Sequence, residues 1–333
     1  MSEAKLYRNM GLDLVRTTEA AAISAARWMG LGRSNEADRA ASAAMVRALD
    51  RLKMNGQIVM AEDSRVGMGL PELHAGKAVG TGRGIATDVM VDPIDGRRLL
   101  AYGRAGAISV AAVATRGSMW SPSPAAYMEK MVVNRTAASA LVPECLDAPA
   151  AWTLALVARA KGKAVRDLVV FLLDRPRHKD LLDEIRAAGA RVMLTDDGDI
   201  SGALLAAAPN GPVDLLIGVG GAAEGLLSAC AVKALGGGML ARLAPQSAAE
   251  RAALIEARVE TKRIFTCEDM VAGNQIFFVA TGITSGLLLE GVSFEHDRAS
   301  TNSLILRSET RTRRTIQAEH LITDETDETH LLD

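Results

Sequence analysis

Between residues 168 and 235 the chain alternates short apolar runs with polar loops and helical stretches, and this rhythm constrains its fold more than any other feature. Leu168 to Leu173 reads as a strand, then comes Asp174-Arg175-Pro176-Arg177-His178, then a helix from about Lys179 to Ala188. Ala190 to Leu194 is the next strand, followed by Asp197-Gly198-Asp199 and a helix from about Ile200 to Ala207. Val213 to Val219 is the third, followed by the glycine-rich run from Gly220 to Gly225 and a helix to about Leu235. Strand–helix alternation of this kind predicts a mainly parallel sheet. In such sheets ligands bind beyond the carboxyl ends of the strands, beside helix amino termini that favour anions. All three polar loops are expected at those ends.

The first half is patterned differently. A helix is expected from about Leu12 to Met29, and a second, capped by Ser34 or Asn35, runs to about Leu52. Gln57 to Met60 reads as a strand that delivers Glu62 and Asp63 at its end. Gly80-Thr81-Gly82-Arg83-Gly84 precedes a strand instead of linking a strand to a helix, so it does not fit a dinucleotide-binding loop. Ala105 to Thr115 and Met131 to Val133 are further strands, and 137–152, with Pro143 and Pro149, reads as a linker. Strands at Gln275–Ala280, Leu287–Phe294 and Ser303–Arg307 follow one another without helices, which predicts an antiparallel finish. Arg307, Arg311, Arg313 and Arg314 suit a solvated edge strand protected by charge. The fold class is therefore α/β with an α+β first half.

Composition narrows the functions available. With 333 residues the chain is long enough for two domains, and 49% hydrophobic against 23% charged residues gives a real core. Aromatic residues are only 3%, so that core is built from Ala, Leu, Val, Ile and Met. A net charge of −2 argues against broad electrostatic binding of nucleic acid. Cys145, Cys230 and Cys267 are far apart and suggest neither a zinc site nor a disulfide framework. The amino terminus lacks the apolar core of a signal peptide, and no stretch is long enough to span a bilayer, so a cytoplasmic protein with no membrane partner is expected.

The segment richest in chemistry is Asp92-Pro93-Ile94-Asp95-Gly96, which follows the apolar run Val89-Met90-Val91. Pro93 removes a backbone donor, so the strand is expected to stop there. Two carboxylates on one tight turn repel each other unless a proton or cation compensates. A hard divalent cation such as Mg²⁺ or Mn²⁺ does so, because it takes oxygen ligands and leaves positions open for phosphate. The plainer reading is an Asp-Pro turn with a second solvated Asp. Asp38 falls in a first helical turn, where an acidic residue is favoured for dipole reasons alone. Together, Asp38, Glu62, Asp92 and Asp95 with the anion-favouring loops of the second half describe a metal-dependent phosphatase.

Several motifs in order resemble the class II fructose-1,6-bisphosphatases of the lithium-sensitive phosphatase superfamily. They are Trp28 with Gly30, Asn35-Glu36-Ala37-Asp38, Val79 to Gly84, Asp92 to Gly96, Tyr127-Met128-Glu129-Lys130, Arg175 to His178, Asp197 to Asp199, Gly218 to Gly225 and Ala280 to Thr284. The resemblance implies a layered α/β sandwich of the sugar phosphatase type. It divides into a metal-binding α+β domain over 1–136 and a sugar-phosphate-binding α/β domain over 137–333, with antiparallel strands in 275–320 able to return to the first sheet.

The same resemblance implies roles. Asp38, Glu62, Asp92 and Asp95 are expected to bind Mg²⁺ or Mn²⁺, and Glu62, Asp63 and Asp95 to be catalytic. Asp95, Gly96, Arg97, Tyr127, Arg175, Pro176, Arg177, Asp197, Gly198, Asp199, Gly221 and Glu224 are expected to contact substrate. That substrate is fructose 1,6-bisphosphate, losing its 1-phosphate, with sedoheptulose 1,7-bisphosphate as a further candidate; the protein is expected to be a homodimer or homotetramer. Two departures stand at the chemistry. The family carries Thr or Ser after the Gly of the carboxylate turn, whereas Arg97 has neither an acceptor nor a removable proton. The family's acidic run after the metal-binding Glu is replaced by Asp63 to Leu70. A sugar-phosphate sensor or regulatory subunit is the alternative these departures raise.

Overall fold

A computed structural model describes residues 6, 7, 9–60, 73–121 and 124–322; the expected catalytic pair Glu62 and Asp63 lies outside the described residues. The chain divides into two units, Met1–Met119 with Gly273–Asp333, and Trp120–Ala272. The division falls at 119/120 and 272/273; the sequence placed a boundary at 136/137 and allowed strands in 275–320 to return to the first sheet.

The first unit opens with α1 (Met10–Ala26) and α2 (Ser34–Asp50), followed by β1 (Asn55–Ile58), β2 (Ala78–Val79), β3 (Ala86–Asp95), α3 (Arg97–Ala101) and β4 (Ile108–Thr115). The second unit contributes β5 (Tyr127–Val133), α4 (Ala150–Lys161), β6 (Val169–Leu173), α5 (Lys179–Ala187) and β7 (Arg191–Thr195). It continues with α6 (Asp199–Ala207), β8 (Leu215–Gly221), α7 (Ala222–Leu235), β9 (Gly238–Leu243), α8 (Ala248–Glu256), β10 (Ile264–Thr266) and α9 (Cys267–Met270). The chain then completes the first unit with β11 (Ile276–Gly282), β12 (Ser293–Glu295), β13 (Arg298–Arg307) and β14 (Thr312–Leu321).

Among the described residues the first sheet has eight strands in the order β12-β13-β11-β4-β3-β1-β2, with β14 on the other side of β13. The strands after residue 275 therefore join the sheet that carries the carboxylate turn. Helix α1 lies on this sheet through Met10, Leu14 and Val15, which are buried in one core with Phe277, Val279 and Ile305. Contact there is close: a Cβ at Gly11 would lie 2.8 Å from Ile305 Cγ2 and 2.9 Å from Phe277 Cδ1. β14 is the exposed edge, bearing Arg313 and Arg314, which agrees with a charged edge that resists pairing with another chain.

Pro93 does not end β3. Asp92 pairs with Val110 and Asp95 with Ile108, so Pro93 and Ile94 bulge opposite a single residue. A bulge leaves one backbone N–H out of the ladder, which is the position a proline tolerates.

The second sheet runs β10-β9-β5-β8-β6-β7. β6 pairs in parallel with β7 and β8, but β5 is antiparallel to both β8 and β9. The sheet is therefore mixed, not mainly parallel: β9 runs with β8, and β5 has been inserted between them. Leu168, Val170, Leu172, Leu215 and Ile217 pack with Leu154, Val157 and Ile185 in its core.

A polar network is buried in the first unit. Thr18 Oγ1 and Thr281 Oγ1 are 2.8 Å apart, and Thr281 Oγ1 is 2.8 Å from Ser303 Oγ. Ser303 and Thr301 both donate long, 3.4 Å bonds to Glu19 Oε1, and Thr301 Oγ1 also lies 2.9 Å from His320 Nε2. Burial, only partly offset by these hydroxyls, pushes the Glu19 carboxyl up to about 7. Between its ordinary range and that value the folded chain holds a proton the unfolded chain has released, so rising pH favours unfolding. Glu19→Gln is accordingly expected to match the parent near pH 4.5 and to exceed its stability by about 3 kcal/mol at pH 8. Urea midpoints across that range check this; parallel curves for the two proteins would refute it.

Candidate active site

The carboxylate turn is built by three adjoining pieces of the first unit. β3 delivers Asp92 and Asp95, which are 1% and 4% exposed. Asp92 Oδ1 accepts the N–H of Ile94 at 3.0 Å and so shapes the bulge. Gly96 follows with φ +97°, a conformation that favours glycine, and is the N-cap of α3. The loop between α1 and α2 is tied to α3, Gly30 N–H donating to Leu100 O at 2.9 Å and Gly32 N–H to Ala101 O at 3.0 Å. This brings the first turns of α2 to the turn. There Asp38, buried, meets Arg97, with Nε 3.2 Å from Oδ1.

The donors at this turn are hard oxygens, which suits a divalent cation of the Mg²⁺ or Mn²⁺ type at Asp92 and Asp95. Among the described residues no three carboxylate, imidazole or thiol groups converge as a ready-made cation site. The other expected ligand, Glu62, is not among those residues. At Asp38 the neighbour is a guanidinium.

The second unit assembles its polar residues at one edge of its sheet. β6, β7 and β8 are parallel, so the loops after them leave from the same edge. β5 is antiparallel to β8 and pairs Tyr127 with Gly221, which puts its start at that edge too. Tyr127, Arg175, Pro176, Arg177, Asp197, Gly198, Asp199, Gly221 and Glu224 are thereby brought to one side of the sheet. The loops are bonded to each other. Arg175 donates to the Asp196 carbonyl, and its Nη2 lies 3.4 Å from Asp197 Oδ1. Arg177 donates from Nε and Nη2 to Val219 O at 3.1 and 2.6 Å, with its guanidinium 5.5 Å from the centre of the Tyr127 ring. Two arginines, a tyrosine and the start of α6 on one edge form a surface suited to phosphate and hydroxyl groups. Gly221 has a packing reason as well, since a Cβ there would overlap the Glu224 carboxylate.

The chain matches, over residues 8–320, the family described as bacterial fructose-1,6-bisphosphatase, glpX-encoded. It belongs to that family. It is 37% identical over 332 residues to a class 2 fructose-1,6-bisphosphatase of Haemophilus influenzae, covering 96% of this chain and 98% of the relative. It is also 37% identical over 330 residues to fructose-1,6-bisphosphatase 1 class 2 of Escherichia coli strain K12, covering 95% and 96%. Among the described residues no helix is long and apolar enough to cross a membrane.

Two residues of this fructose-1,6-bisphosphatase family chain escaped sequence reasoning as parts of the edge. Lys130, on β5, is fully buried and donates to the Asp199 carboxylate, itself 7% exposed. A Cβ at Gly220 would lie 2.6 Å from Lys130 Nζ and overlap Asp199, so the ion pair lies against bare backbone. His178 locks β6 to β8. Val219 N–H donates to Nε2 at 2.8 Å, which leaves Nδ1–H to donate to Leu173 O at 2.8 Å. Burial pushes this imidazole below its ordinary pKa and favours that neutral form. The available signals were a lysine between Met128 and Met131 in an apolar strand and a histidine directly after the Arg-Pro-Arg loop.

Proposed function

We propose that this chain is a phosphoric monoester hydrolase acting on a sugar bisphosphate, removing the 1-phosphate of fructose 1,6-bisphosphate. The match to the family over residues 8–320 carries this reading. The two polar regions supply chemistry that fits it. A divalent cation, Mg²⁺ or Mn²⁺, neutralises phosphate charge and lowers the pKa of water when bound. Asp92 and Asp95, with Glu62, are the residues proposed to hold it. Asp92 contributes twice, since its Oδ1 also fixes the bulge that aims Asp95. Glu62, with Asp63 beside it in sequence, is proposed to take the proton of the attacking water. Asp95 and Gly96 are proposed to border the reacting phosphate.

At the edge of the second sheet, Arg175 and Arg177 are proposed to bind phosphate oxygens, and Tyr127, the 197–199 turn, Gly221 and Glu224 to bind the sugar. Their bonds to Asp196, Asp197 and Val219 preorganise the guanidinium groups before ligand arrives. A cytoplasmic homo-oligomer is proposed with this activity, as a dimer or tetramer. Purified protein with Mn²⁺ or Mg²⁺ is expected to release inorganic phosphate from fructose 1,6-bisphosphate and leave fructose 6-phosphate. Absence of release from a panel of sugar bisphosphates with either cation would overturn the reading.

A further inference from the structure

We infer that the Arg97 guanidinium takes the place of a bound cation at Asp38, so that this chain holds one divalent ion fewer than its carboxylates would otherwise admit. The inference rests on the metal-dependent reading above and concerns how its charge is balanced. Asp38 is 5% exposed, and a buried carboxylate needs a compensating positive charge. Arg97 supplies one, with Nε 3.2 Å from Asp38 Oδ1 and a side chain itself only 23% exposed.

The contact is enforced by the backbone. Arg97 is the first residue of α3, directly after Gly96 at φ +97°. α3 is clamped to the loop that leads into α2 by the Gly30–Leu100 and Gly32–Ala101 hydrogen bonds. Asp38 is in the second turn of α2. The guanidinium is thus fixed beside Asp38 by two tethered helices, and arginine keeps its charge at every working pH. A divalent cation on the same carboxylate would meet that charge at close range, in a setting screened poorly by water. Asp92 and Asp95 sit on the preceding strand, while Asp38 has the Arg97 charge opposite it at ion-pair distance.

Mn²⁺ binding, measured by calorimetry and by electron paramagnetic resonance of the unbound ion, tests this without substrate. Arg97→Thr is expected to bind one more Mn²⁺ per chain than the parent. Arg97→Lys, which keeps a cation at the site, is expected to bind the parental number. Asp38→Asn made in the parent is expected to leave the number unchanged, and it tests the inference even if Arg97→Thr does not fold. Equal numbers for parent and Arg97→Thr, or a lower number in Asp38→Asn, would overturn the inference. The count is independent of turnover, so a parent that hydrolyses no bisphosphate would refute the proposed activity and leave this result standing on its own.

Discussion

Lys130→Met is expected to cost about 3–5 kcal/mol of folding stability, because it leaves the Asp199 carboxylate as an unpaired buried charge. Met matches the length of the lysine stem, so packing against β8 and β9 changes little. What changes is that Asp199, 7% exposed, loses the ammonium group it accepts from. The crowded bare backbone at Gly220 leaves no room for the carboxylate to relax toward. A second variant separates charge from shape. Replacing both partners, as Lys130→Met with Asp199→Leu, is expected to recover most of the loss, since well-packed apolar groups replace buried ion pairs at little cost. Urea unfolding of the two variants and the parent decides the matter. A loss under about 1 kcal/mol in the single variant, or equal losses in single and double variants, would refute the account. The double variant should nonetheless bind sugar phosphate poorly, because Asp199 begins α6 at the edge proposed for substrate.

How far the chain could be read from its residues depended on whether the deciding partner was local. The β6–α5–β7–α6–β8–α7 succession was legible because each strand is a short apolar run closed by a polar loop. What was hidden was β5, inserted antiparallel between β8 and β9, since nothing in Tyr127–Val133 names its neighbours. β14 was legible as a charged edge from Arg313 and Arg314, but its full length was not, because Glu319 and the other exposed polar residues break the apolar alternation that marks a strand. The strand end at Pro93 was misjudged because a bulge depends on the facing strand, here Val110 to Ile108. In the candidate site, the polar loops and the carboxylate turn were legible as residue types at strand ends. The Lys130–Asp199 pair was not, being a contact between residues 69 positions apart. Arg97 was singled out in the sequence as a departure, but its setting against Asp38 required the tethering of α3 to the α1–α2 loop.

Asp92→Asn is expected to lower kcat/KM by about 10³-fold while leaving the fold intact. The substitution isolates charge. Asn keeps a side-chain oxygen in the place of Oδ1, so the bond from Ile94 N–H at 3.0 Å, and with it the bulge, can persist. One negative charge is lost from a group only 1% exposed. Stability is therefore expected to remain within about 1 kcal/mol of the parent, since surviving hydrogen bonds of this kind are worth about that much. If Asp92 and Asp95, with Glu62, hold the cation, losing one of those charges removes several kcal/mol of transition-state stabilisation, and about 4 kcal/mol corresponds to the stated rate loss. Asp92→Ala removes the acceptor as well, so it should lose the same activity and some stability besides. Initial rates of phosphate release from fructose 1,6-bisphosphate over a Mn²⁺ series, with thermal unfolding of each variant, give both readouts. An Asp92→Asn protein within tenfold of parental kcat/KM at saturating Mn²⁺ would exclude this carboxylate as a cation ligand and leave it the structural role of fixing the bulge through Ile94 N–H.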